Sequence, residues 1–267
     1  MRIESQFSPA VRPPMPSVAR PPAAAASISD CFAGENLIYD MIRVAPNEEA
    51  RRAVVDALSL MPTEALARVS QYGTRIEVYD RTQADLPLYA KHLQKPNLSG
   101  AYSPTANVIF FDQHNITPLV LLHEFFHALD RAVGDPSQSQ DWQKACEQSR
   151  ATRVCIRPYA THNSAEYFAD NLAAHTIPDD KLPSLMGRDW KLGINTEGLG
   201  KDVFVKNHMN YSQGRQAKAD PQAYAMAADF LSRLPSLGAS APRPALTPAE
   251  YREVKLAELR EQKARQS

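Results

Sequence analysis

His123-Glu124-Phe125-Phe126-His127 places two imidazoles and a carboxylate in one short stretch, a spacing suited to metal-assisted hydrolysis. On a helix, residues four apart lie one above the other, so His123 and His127 can grip a single ion. Glu124 stands beside them to take a proton from a water held there. Burying these groups in an apolar helix is costly unless they are paired or bound to metal, which weighs against two ordinary core histidines. A catalytic zinc takes three protein ligands and keeps one position open. The extended pattern H-E-x-x-H-x-x-G-x-x-H cannot supply the third, because Asp130 and Val133 occupy its Gly and His positions. Downstream candidates are His162, Glu166, Asp170 and His175. Glu166 and Asp170 are four apart and share a helix face. We assign Glu166 to the metal and Asp170 to an outer position, where it orients a ligand histidine through its second ring N–H. Glu166 on its own would ordinarily be a solvated first-turn glutamate; the apolar Tyr167, Phe168 and Leu172 beside it favour the metal.

Two helices must carry these groups. Thr117-Pro118 is an N-cap followed by a proline at the first helical position, and Gly134 with Asp135-Pro136 is the matching stop. The interval is about 16 residues, mostly apolar ahead of the histidines. Asn163 or Ser164 can cap a second helix through 165–174, putting Glu166 in its first turn.

Several segments together carry a family resemblance. Gly100-Ala101-Tyr102-Ser103-Pro104 leads into Val108-Ile109-Phe110-Phe111; the motif continues as Ala128-Leu129-Asp130; and Tyr159 stands seven residues ahead of Glu166 in Glu166-Tyr167-Phe168-Ala169-Asp170. Over about residues 74–178 the chain resembles the catalytic domain of anthrax lethal factor and its relatives, the Pro-Pro endopeptidases. Phe126 stands where that family has Gly, and Asp170 where it has a second Glu. The resemblance implies a zinc endopeptidase with one catalytic Zn2+ held by His123, His127 and Glu166. It gives Glu124 as general base and Tyr159 as donor of a phenol O–H to the developing oxyanion. Without it, Tyr159 after Pro158 would read as a packed loop aromatic. The expected fold is α+β: a helix-rich, zincin-like domain with a small twisted sheet packed on the motif helix. A protein or peptide substrate would lie extended along the cleft, and Asn107–Phe111 is expected as the sheet edge that receives it.

Lys+Arg and Asp+Glu both number 30, so no charge excess points to nucleic acid or an anionic membrane. No apolar run reaches the roughly 18 residues of a membrane span. Cys31, Cys146 and Cys155 lie far apart without a C-x-x-C and read as reduced thiols, with a Cys146–Cys155 bridge left open. Residues 1–30, with Pro9, Pro13, Pro14, Pro16, Pro21, Pro22 and an Ala23–Ala26 run, are expected to be a disordered leader. The metallopeptidase domain follows over 31–238, then a Pro/Ala linker and a charged helix over 239–267. Helices are expected at 47–60, 63–71, 138–150 and 221–234, with Tyr224, Ala228 and Leu231 on the packed face of the last. A strand is expected at 74–79, and a glycine-rich loop or hairpin at 187–200.

No secretory signal is visible, yet the leader suits export by a signal-independent, type III-like route. This frames the chain as a bacterial effector cutting a host cytosolic protein. The alternatives are a resident peptidase of the bacterial cytoplasm and an inactive relative that only binds through the cleft. The sequence leaves substrate and oligomeric state open.

Overall fold

The computed structural model describes residues 28–95, 99–185 and 210–266. The leader up to residue 27 and the glycine-rich stretch 187–200 lie outside them. Helix α1 spans Ile28–Met41, so ordered helix begins inside the segment expected to lack structure. It feeds β1 (Ile42–Val44). Helix α2 (Glu48–Leu58) starts at Asn47, whose side chain accepts from the Ala50 N–H. Helix α3 (Thr63–Tyr72) ends at Gly73, left-handed at φ 91°. Strand β2 (Arg75–Tyr79) follows, then β3 (Gly100–Ser103) and β4 (Val108–Asp112).

The sheet order is β1-β2-β4-β3, with β1, β2 and β4 parallel and β3 antiparallel. This corrects the expected edge. The segment at 107–111 pairs on both sides, and β3 is the strand left at the margin beside the motif helix. Alternation along the strands divides the sheet into two faces. Ile76, Val78, Ile109 and Phe111 point into the main core with the motif helix. Val108 and Phe110 point into a smaller core with Tyr89, Leu93 and Tyr251. On that second face the buried Glu77 accepts from the Tyr89 hydroxyl (2.7 Å) and from Tyr79.

β3 approaches β4 closely because Gly100 stands opposite Phe111. A Cβ there would lie 2.1 Å from Phe111 Cδ1, and that ring is wholly buried. Gly100→Ala is therefore expected to cost about 1–3 kcal/mol by overpacking. Urea denaturation would measure it, and wild-type stability would show that β3 can shift freely.

Helix α4 (Pro118–Ala132) carries the motif, opened by the Thr117 side chain on the Val120 N–H (3.1 Å). Helix α5 (Gln140–Thr152) leads through a 3-10 turn at Pro158–Thr161 to α6 (Ser164–Thr176), which packs along α4. Helices α7 (Gln213–Ala219) and α8 (Pro221–Arg233) cover α6. The deepest residues of α8 are Ala223, Ala227 and Phe230, one position away from the expected stripe, which is half-buried.

The Pro/Ala segment at 239–245 lies on the folded body rather than leading away from it. Ser240, Arg243 and Ala245 donate backbone N–H groups to Ala132, Tyr72 and Gly73. It delivers α9 (Pro248–Gln266), whose Tyr251 enters the second core while most of the helix is exposed. Among the described residues no helix is long and apolar enough to cross a membrane. Cys146 and Cys155 are free thiols and form no bridge.

Candidate metal centre

The site forms where the middle of α4 faces the first turn of α6. Thr117 and Pro118 fix where α4 begins, and one turn further on the helix presents His123 and His127 on one side. Asn163 fixes α6 by accepting from the Glu166 N–H (2.9 Å), which sets Glu166 at its third helical position. Three atoms converge: His123 Nε2, His127 Nε2 and Glu166 Oε2. The two nitrogens are 3.0 Å apart, and Glu166 Oε2 lies 3.0 Å from His123 Nε2 and 3.5 Å from His127 Nε2. Ligand atoms on a tetrahedral zinc with bonds of about 2.05 Å stand about 3.3 Å apart, so the triangle has the right size.

The donor chemistry supports the same conclusion. His123 Nδ1 lies 2.8 Å from Asp170 Oδ1 and donates to it, which leaves the lone pair of Nε2 facing the other two atoms. Glu166 Oε2 is buried and makes no hydrogen bond of acceptable geometry. Three electron-rich atoms gathered around one point need a cation among them. In the metal-free chain a proton takes that place. Burial opposes it, but the charge of Asp170, the hydrogen bond to it and the Glu166 carboxylate 3.0 Å from Nε2 outweigh burial and hold His123 up at about 10. Burial also pushes Glu166 up, yet the two imidazoles pull it well below the usual carboxylate range.

Asp170 is fully buried, and three side chains converge on it. Besides His123, it accepts from Tyr211 Oη (2.6 Å) and from both Nε (2.7 Å) and Nη2 of Arg157. Burial works against the carboxylate, but Arg157 foremost and then His123 hold it far below its ordinary range. Burial keeps the Tyr211 hydroxyl protonated and able to donate.

Glu124 is half-buried, and its Oε2 accepts the backbone N–H of Tyr102 at 2.8 Å. The carboxylate is thereby tied to the edge strand β3. Tyr159 sits in the 3-10 turn at the mouth of the site, 54% exposed, its ring centroid 6.3 Å from that of His123. Its hydroxyl makes no hydrogen bond among the described residues. Burial first, then the charges of Glu166 and Glu124, push its pKa up to about 12, so it stays a donor at neutral pH.

The structure brings together His123, Glu124, His127, Tyr159, Glu166 and Asp170. It leaves out two of the alternatives: His162 is exposed and stacks on Tyr159, and His175 packs against Tyr224 further along α6. Phe126 is wholly buried in the main core, which accounts for a large residue inside the motif. Arg157, Tyr211 and the Tyr102 N–H were not anticipated. Tyr211 lies 41 residues from Asp170, and no local pattern connects them.

No protein-family model and no curated protein matches the chain. Among solved structures it is similar to the Pro-Pro endopeptidase from Paenibacillus alvei, covering 73% of this chain and 99% of that one. The TM-score is 0.49 and the sequence identity 12%. Values this low leave the chemistry to be argued from the side chains.

Proposed function

We propose that the chain is a zinc-dependent endopeptidase. The observation that carries this reading is the triangle of His123 Nε2, His127 Nε2 and Glu166 Oε2, sized for one ion, with Glu124 on the same helix. When bound, zinc supplies Lewis acidity that polarises a scissile carbonyl and acidifies water. The chain's own groups do the rest. Glu124 Oε2 is held by the Tyr102 N–H, leaving Oε1 to take the proton from the attacking water and later return it to the departing amine. Tyr159 Oη donates to the oxygen that gains charge, a contact whose loss costs on the order of 3 kcal/mol in comparable sites. Edge strand β3 lies beside these groups, and an extended peptide can add to it as a further strand.

The leader composition extends this proposal to an exported effector, for which deletion of residues 1–30 should abolish export. The test of activity compares new protein N-termini in a eukaryotic lysate treated with zinc-loaded wild type or Glu124→Ala. Cleavages confined to the wild type are expected, with loss on chelation and return on adding zinc. One zinc bound per chain with no wild-type-specific termini in eukaryotic or bacterial lysate would overturn the peptidase reading.

A further inference from the structure

Arg157 occupies the point where the two halves of the site meet. Its guanidinium grips Asp170 through Nε and Nη2, and Asp170 in turn fixes His123 through Nδ1. The same guanidinium lies 5.1 Å from the centre of the Tyr159 ring and 5.4 Å from that of Tyr211. Arg157 is also the residue on which the turn at Pro158–Thr161 begins. Its backbone therefore sets where the turn leaves, while its side chain reaches inward to the carboxylate behind the metal ligand.

We propose that Arg157 is a positioning residue that joins the orientation of the ligand His123 to the placement of Tyr159. The inference rests on the metallopeptidase reading and deepens it. A planar fork can bind a carboxylate through two parallel N–H groups and still offer a face to an aromatic ring; an ammonium cannot do both. Arg150 supplies an internal contrast. It holds the far end of the same turn, donating from Nε to the Thr161 carbonyl and from Nη2 to the His162 carbonyl, each at 2.8 Å. None of its hydrogen bonds reaches Asp170, so it steadies the turn without touching the chain that leads to the ion.

The experiment loads full-length protein with Co2+ and reads affinity by competition with a chromophoric chelator, together with the visible absorption spectrum. Arg157→Lys keeps the charge beside Asp170 and removes the fork. It is expected to fold cooperatively, to bind Co2+ about 10- to 100-fold more weakly, and to show an altered spectrum. Arg150→Ala should bind as wild type does. On a peptide taken from an identified cleavage site, Arg157→Lys should lower kcat more than it raises KM. That loss should shrink in a Tyr159→Phe background, since the two residues act together. Wild-type affinity and spectrum in Arg157→Lys would overturn the inference, as would an equal loss in Arg150→Ala. Wild-type protein that binds no Co2+ would remove the metal centre itself, an outcome distinct from either.

Discussion

Glu124→Gln is expected to slow peptide-bond cleavage by about 10²- to 10⁴-fold while zinc content stays at one per chain. The amide keeps the size of the carboxylate and an oxygen for the Tyr102 N–H, so β3 and α4 stay joined. What disappears is a group able to accept a proton at the water-facing oxygen. His123, His127 and Glu166 are untouched, so metal binding and catalysis should separate. Glu124→Ala should be as inactive and also somewhat less stable, because it strips the β3 amide of its acceptor, a change of about 1 kcal/mol. Metal content by elemental analysis and kcat on one peptide make the comparison. Activity within tenfold of wild type in the Gln variant would exclude Glu124 as the base and point to Tyr159 or to water alone.

The parts of the site legible in the sequence were those fixed by local chemistry. Caps at Thr117 and Asn163, with the proline at 118, defined the two helices that matter, and helical spacing then set which side chains share a face. The alternation at 74–79 and the short apolar run at 107–111 likewise gave strands in place, because both are local properties of the chain. Strand order is not local. The segment at 107–111 reads as a short apolar strand, and only its pairing with β2 on one side and β3 on the other shows that it is interior. The strap at 239–245 misled for a different reason. Its prolines and alanines have the composition of a tether, while its placement depends on a few backbone N–H groups meeting carbonyls far away in sequence. Arg157 and Tyr211 belong to the same class: both reach Asp170 from distant chain positions, and neither stands in a pattern. Local chemistry thus names the groups that converge at the centre of the site, and tertiary packing names those that hold them in place.

Asp170→Asn is expected to produce the largest loss of stability among substitutions near the site. The amide matches the carboxylate in shape, but it cannot compensate the buried charge of Arg157, and breaking a buried pair in this way costs about 3–5 kcal/mol. Zinc affinity should fall about 10- to 100-fold as well, since His123 loses the charge that holds its Nδ1 proton in place. The pH dependence distinguishes this from simple misfolding. In metal-free wild type, the raised pKa of His123 stabilises the fold fully below its ordinary 6.5, and that contribution is lost as pH rises through about 10. The depressed Asp170 and Glu166 act in the opposite sense: their contribution is present above the usual carboxylate range and is lost in acid. Removing Asp170 removes the strongest influence raising His123, so the fall in stability between pH 6.5 and 10 should shrink in the variant. Urea unfolding of the chelator-treated proteins across that range measures the slope directly. An Asn variant with wild-type stability and an unchanged slope would mean that Arg157 and His123 do not depend on Asp170.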